Sequence, residues 1–437
     1  MKKPVLLLMP AIFYFLNAFS QFSPGDYALK DVSVIDGISG NVKSHYTIVI
    51  HNNHIEVLGP VKEISISDSV TVFNYPGKFV IPGLIDSHVH LATDPSDEDN
   101  RRRAEKDLKD MLLSGITSVR DMAGDARALA SLSRDAGLDQ IVSPDIYYAA
   151  LMAGPAFFGD PRTRQTTQGG IAGEMPYMKA VTDSTDLCIA VAEAKGSGAI
   201  AIKLYGELSG ALAKEITTEA HRQHMLVWSH ANLDQASALE VINAGVNSIS
   251  HAAMVSGWNS RTVPEVCLKP ALSGKFWDSV FKTLPVSDLI KAMQVNKTML
   301  DATILTYQLA ALDKSLPENR RLAWIALYEM GKRFTILARE NNIIISAGTD
   351  VDEKKFVQRE MKLLVKECYF TPMEAIICCT KNGALTLGIE NSTGTIQKGK
   401  IANLVLLSAN PAQDIDNIDK VDLVIKNGKL YNVLPGM

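Results

Sequence analysis

Six side chains in this sequence have types and settings suited to metal binding or proton transfer: His88, His90, Lys203, His230, His251 and Asp350. Imidazole nitrogen and carboxylate oxygen form a mixed donor set suited to zinc first, with manganese, iron or nickel as alternatives. His88 and His90 stand two apart, so on a strand both rings project from one face. Alone, that spacing arises by chance in a long chain. Lys203 sits in Gly198-Ala199-Ile200-Ala201-Ile202-Lys203-Leu204-Tyr205, an apolar run in which a free ammonium is costly to bury. Three escapes are open to it: loss of its proton, an adjacent carboxylate, or reaction with CO2 to give an anionic carbamate that bridges two metals. Singly, each residue has a plainer reading. His230 and His251 read as hydrogen-bonded core histidines, Lys203 as a side chain reaching solvent, and Asp350 as a cap. Only jointly do they point to a metal centre.

The elements around them explain how they could meet. Short apolar strands are predicted over residues 78–85, running into Asp86-Ser87-His88-Val89-His90, then over 116–120, 146–151, 199–205, 226–230, 248–251, 299–304 and 343–347. Helical patterns lie between most of them, for example over 104–114, 209–222 and 236–244. Eight strand–helix units over roughly 300 residues predict a (β/α)8 TIM barrel, an α/β fold whose catalytic groups lie at the C-terminal strand ends. All six residues fall at such ends. A doubly wound sheet is the alternative, but no glycine-rich phosphate loop opens a helix.

Both chain ends read as β. Strands are expected over 28–35, over 47–50 and 54–58 as a hairpin around Asn52-Asn53, and again over 394–396, 402–407 and 421–431. His51 and His54 read as surface residues of that hairpin. The economical arrangement is one small β-sandwich domain built from residues 21–82 and 391–437, flanking a barrel over 83–390. Thr371-Pro372-Met373-Glu374 carries a capping box that starts a helix ending near Gly388. Residues 254–284, with Trp258 and Trp277, read as a long loop after strand six that forms a lid or pocket wall.

Several motifs go further. Val80-Ile81-Pro82-Gly83-Leu84-Ile85-Asp86-Ser87-His88-Val89-His90-Leu91, Gly115-Ile116-Thr117-Ser118-Val119-Arg120-Asp121, and Gly394-Thr395-Ile396 with Gly399-Lys400 and Ala402-Asn403-Leu404-Val405 resemble the first strand, the second strand and the return to the β-domain in the amidohydrolase superfamily. Asn403 stands where the family usually has Asp. The chain resembles the binuclear branch with a carboxylated lysine, among prolidase-like and imidazolonepropionase-like members. The resemblance implies that His88, His90 and Asp350 hold one of two divalent metal ions, zinc first among them, and that His230 and His251 hold the other. Carboxylated Lys203 and a hydroxide would bridge the pair. It also implies the chemistry: the metal-bridged hydroxide attacks a carbonyl polarised by one metal, and Asp350 passes the proton to the leaving nitrogen.

The same resemblance narrows the substrate. Mononuclear deaminases of the superfamily lack the lysine and usually carry Glu three residues after the fifth-strand His, where this chain has Ala231-Asn232-Leu233. The expected reaction is hydrolysis of a carbon–nitrogen bond in a small amide, cyclic amide or acylated amino acid. The alternatives are an Xaa-Pro or related dipeptidase and, in a different class, a catalytically silent barrel that serves as a binding protein. Prolidase-like members often place a His in the loop after strand three, which this chain lacks. Arg162 or Arg164 is the candidate replacement as a carboxylate contact. Tyr205 shares strand parity with Lys203 one step nearer the mouth and is a candidate substrate contact, whereas Trp228 lies deeper and reads as core.

Composition sets the remaining bounds. The chain has 437 residues, 46% hydrophobic and 21% charged, with a formal charge of −4, which excludes a disordered chain or a basic nucleic-acid binder. Arg101-Arg102-Arg103 follows Asp94, Asp97, Glu98 and Asp99 and reads as a solvated helix start. Five cysteines, without metal-ligand spacing, do not make a disulfide scaffold, and Cys378 and Cys379 read as packed helix residues. Lys2 and Lys3, the apolar run over 5–19 and Ala18-Phe19-Ser20 form a signal peptide over 1–20, predicting a periplasmic or secreted protein with no membrane contact after cleavage. The expected partner is a small-molecule amide, with no nucleic acid; a homo-oligomer is compatible with this.

Overall fold

The computed structural model describes residues 26–91, 100–351 and 356–433. The leader at 1–20 and the acidic residues Asp94, Asp97, Glu98 and Asp99 lie outside them. Eight strands form the barrel: Leu84–Val89, Ile116–Asp121, Asp145–Ala153, Ala201–Leu204, Leu226–His230, Ser248–Ser250, Met299–Asp301 and Ile345–Ser346. Each pairs in parallel with the next in chain order. Last meets first where the Ser87 N–H donates to Ala347 O at 3.0 Å. Parallel strands covered on both faces must be apolar throughout, and these are buried along nearly their whole length.

Local chemistry sets where the helices begin. Helices Gly210–Arg222 and Ala238–Asn243 start just after Ser209 and Ser237, whose hydroxyls accept from backbone N–H groups of the first turn. A capping residue stands outside its helix, so each element is shorter than its sequence pattern. Thr371 and Glu374 form the expected capping box. The helix it opens is two segments, Pro372–Cys378 and Lys381–Leu387, ended by left-handed Gly388 (φ 70°). Cys378 and Cys379 are buried there, as expected.

Both chain ends build a single eight-stranded sheet. Its strands obey period-two burial. Val80, Leu404 and Leu406 join a core within the sheet, whereas Ile81, Val405 and Leu407 pack against the barrel. The N-terminal hairpin turns at Asn52 and Asn53, both at positive φ. Residues 421–431, expected as one strand, are a second hairpin, Val421–Lys426 with Lys429–Asn432. Asn427 (φ 50°) and Gly428 (φ 74°) supply the turn that Asn-Gly favours. Residues 394–396 are not a strand, because Ile396 N–H bonds Asp36 O outside any ladder. Lys426 fastens sheet to barrel: its buried ammonium pairs with Asp145 at 2.8 Å and donates to Ala136 O at 3.0 Å.

Residues 254–284 also differ from expectation. The short 3-10 turn Ala252–Ser256 runs into them, and they hold a second, Glu265–Cys267, and the helix Gly274–Phe281. Trp277 packs with Ala323, Leu327 and Met330 of the long helix Glu318–Glu340. The aromatic and apolar side chains of this segment have their own satellite core to fill.

Candidate active site

The six predicted side chains meet at the C-terminal end of the barrel. His88 Nε2 lies 3.4 Å from Asp350 Oδ1, and His90 Nε2 lies 3.1 Å from the same oxygen. Ring centres are 4.9 Å apart for His88 and His251 and 4.9 Å for His251 and His230. His88, His251 and Asp350 each offer one donor atom, all within 4.8 Å of one another. Lys203 is fully buried and donates from Nζ to Ser250 Oγ at 2.9 Å. Its ammonium lies 5.7 Å from the centre of the Tyr205 ring, which in turn lies 4.4 Å from that of His230.

Burial sets the charge states. It pushes His88 and His230 below their ordinary range and His251 down to about 3, so these imidazoles are neutral at pH 7, the form that ligates a cation. Lys203 falls to about 7, again through burial. Burial alone would raise Asp350, but a proton on His88, His90 or His251 is shared with its carboxylate as the site is acidified, and the His90 ring hydrogen-bonds it, so the carboxyl stays below the usual range. The donor set fits a divalent cation on one further count. His88 Nε2 is buried and has no hydrogen-bond partner among the described residues. A buried nitrogen lone pair aimed at a carboxylate is costly unless something electropositive sits between them.

Above these residues lies a cavity of about 570 Å³. His90, His230, His251 and Asp350 form its floor, with Leu151, Phe157, Met178 and Tyr205 among its walls. Tyr205 thus reaches the cavity, but its hydroxyl donates to Met122 O at 2.8 Å, so the ring is what it presents. Arg162 lines the cavity too, with Nε and Nη2 on Asp160. Arg164 is not among the lining residues. Trp228 is wholly buried beneath the site, its ring 4.7 Å from the Arg120 guanidinium. No described residue of 254–284 lines the cavity, which corrects the expectation of a lid or wall there. Helix Arg101–Leu113 and the short helix Pro161–Gln165 do that work, through Arg103, Asp107, Thr163 and others.

Several buried polar residues were missed in the sequence. Asp86 joins the first and last strands: its Oδ1 accepts from the His88 and Thr349 N–H groups, both at 3.1 Å, and its Oδ2 from the Thr349 hydroxyl at 2.8 Å. Asp301, fully buried, lies 2.7 Å from His88 Nδ1 and 2.9 Å from Arg120 Nη2. Asp301 was findable, since it too is an ionisable residue at a barrel strand end. Strain gathers in the same place: Ala123, His251, Thr303 and Asp350 all have positive φ.

A model of the amidohydrolase family matches residues 79–431. The chain belongs to that family. Family membership makes it a hydrolase acting on carbon–nitrogen bonds; its homologues act on small-molecule amides. It is 24% identical to an ochratoxinase of Aspergillus niger over 395 residues, covering 80% of this chain and 75% of the relative. Solved structures share the fold. One described as a Xaa-Pro dipeptidase with bound methionine in the active site superposes with a TM-score of 0.76 at 24% identity, over 93% of this chain and 100% of the other. The A. niger ochratoxinase gives 0.74 at 21% identity, over 94% and 96%.

The amidohydrolase floor is packed closely enough to make a sharp prediction at Gly348. A Cβ there would lie 2.4 Å from Asp301 Oδ1 and 2.5 Å from His88 Cβ. Gly348→Ala should cost about 1–3 kcal/mol through overpacking and lower activity with it. Denaturant midpoints and turnover on one preparation check this, and a variant matching the parent in both would refute it.

Proposed function

We propose that this amidohydrolase cleaves the amide bond of a small acylated amino acid or cyclic amide, working with a pair of divalent cations, zinc first among them. The observation that carries the proposal is the meeting of His88, His90, Lys203, His230, His251 and Asp350 beneath one cavity. His88, His90 and Asp350 would hold one cation and His230 and His251 the other. Lys203, carboxylated at Nζ, would be shared. Carboxylation requires an uncharged amine, and the buried Lys203 amine hydrogen-bonds a neutral hydroxyl, that of Ser250. Bound cations would supply Lewis acidity toward the scissile carbonyl and stabilise the oxyanion that develops.

The chain's own residues account for the other steps. Asp350 takes the proton of the attacking water and delivers it to the leaving nitrogen. Tyr205, Phe157, Leu151 and Met178 give apolar room for the acyl group. Arg162 holds Asp160 through one edge of its guanidinium and offers the other to a substrate carboxylate. Likeness in fold to a Xaa-Pro dipeptidase supports dipeptides as the second substrate class to try.

The test is a panel of N-acyl amino acids, ochratoxin, cyclic amides and Xaa-Pro and Xaa-Arg dipeptides, given to protein loaded with zinc and to chelator-treated protein. We expect cleavage of N-acyl amino acids that falls by about 10²-fold or more on chelation and returns on reloading. Cleavage of dipeptides alone would favour the second class. No cleavage of any member by zinc-loaded protein would favour a silent binding barrel. Export belongs to the same proposal, with cleavage after Ser20; N-terminal sequencing of the exported protein should begin at Gln21.

A further inference from the structure

The seventh barrel strand, Met299–Asp301, lends no ligand to the proposed cation pair, yet it touches both halves of the cluster. Asp301 Oδ2 lies 2.7 Å from His88 Nδ1. Two residues on, Thr303 Oγ1 lies 2.9 Å from His251 Nδ1. Both are fully buried. One imidazole proposed for each cation therefore has its Nδ1 engaged from the same short stretch of chain, and Nε2 is the atom left to each.

Each contact has its own support. Arg120 is the countercharge that holds Asp301, at 2.9 Å. The same guanidinium donates from Nε to Ser87 O at 2.5 Å and from Nη1 to Ser248 Oγ at 3.1 Å, and stacks over Trp228. It thus grips the carbonyl just before His88 as well as the carboxylate beside the ring. Thr303 is held differently. It is the N-cap residue of helix Ile304–Leu312, where a threonine hydroxyl would ordinarily accept from the first turn. Here it makes no such bond. Glu360, buried and reaching over from helix Phe356–Cys368, accepts from the Ile304 and Leu305 N–H groups at 2.9 and 2.7 Å instead. The cap is supplied from outside, and the Thr303 hydroxyl is released for His251. The backbone shows what this arrangement demands. Thr303 sits in the left-handed region (φ 48°, ψ 45°), where a β-branched residue is strained.

We propose that Asp301 and Thr303 are positioning residues, fixing His88 and His251 as Nδ1–H tautomers so that both Nε2 lone pairs face the cation pair. This rests on the cation pair proposed above. A carboxylate only accepts, so Asp301 keeps His88 in one tautomer and one orientation; the Thr303 hydroxyl orients His251 and, by accepting from Nδ1–H, leaves Nε2 for the cation. Loss of such outer partners typically weakens metal binding about 10–100-fold.

The test uses the full-length chain, stripped of metal and titrated with Co2+, whose visible absorption reports ligation. Asp301→Asn and Thr303→Val should each weaken binding by about 10–100-fold, while Thr303→Ser, which keeps the hydroxyl, should bind as the parent does. A purely structural role would lower the melting temperature of all metal-free variants without separating Val from Ser. Histidine 15N spectra of the metal-free parent should show the Nδ1–H form for both rings, a measurement that needs no variant to fold. An Nε2–H form at either ring would overturn the proposal. So would variants that bind Co2+ as tightly as a parent that binds two equivalents, and in that case the cation pair itself would stand. A parent that binds no cation would overturn both.

Discussion

Asp350→Asn should keep the fold and lower turnover by roughly 10²–10⁴-fold, the range expected when a positioned acid–base group is removed. Asn preserves volume and one oxygen, so the packing against His88 and His90 survives. The Asp350 N–H that donates to His88 O at 2.8 Å is untouched by the change. What disappears is the charge and the basicity. The parent carboxylate, held below its usual range by three imidazoles, is ionised throughout the working pH range. An amide oxygen in its place is far too weakly basic to take a proton from water. Turnover and metal content should be measured on the same sample. Wild-type turnover in Asp350→Asn would refute the proton-transfer role, and loss of metal in step with turnover would show that ligation is what Asp350 chiefly supplies.

Lys203→Ala should produce the other large effect: loss of one or both cations and a fall in activity on the order of 10²-fold or more, as expected when the main electrostatic stabilisation is removed. The fold should tolerate it. The substitution takes a buried ionisable group out of an apolar strand, leaving the Ser250 hydroxyl without its partner and the Tyr205 ring without the amine beside it. If a carbamate is what bridges the cations, a short-chain carboxylic acid diffusing into the space vacated should restore part of the activity. Unchanged metal content and activity would count against the bridging role. Metal loss without rescue by any such acid would leave Lys203 important for the site but would remove the support for its carboxylation.

Much of this molecule was readable from residue order. Apolar runs alternating with helical patterns imply the parallel barrel, because strands covered on both faces must be apolar and helices must cover them. The groups at the ends of those runs imply the candidate site, because ionisable residues in apolar strands need a reason to be there. Local punctuation worked where it was used. Asn52-Asn53 turned its hairpin, and Thr371 and Glu374 capped their helix. The same kind of signal at Asn427-Gly428 divides residues 421–431 into two strands where one was expected. The segment 254–284 misled for a different reason. Its prolines and tryptophans look like an open loop, but a neighbouring long helix offers Trp277 an apolar surface, and burial there outweighs exposure over the cavity.

The sequence by itself determined the kind of fold, the six residues that cluster and the family, because each of these depends on local pattern and residue type. Only the tertiary structure decided what surrounds the cluster. Asp301 faces His88 across 213 positions of chain, and Glu360 caps a helix 56 positions away. Neither pairing leaves a periodic trace, since a contact between distant segments is fixed by how strands and helices pack and not by the spacing of residues along either one.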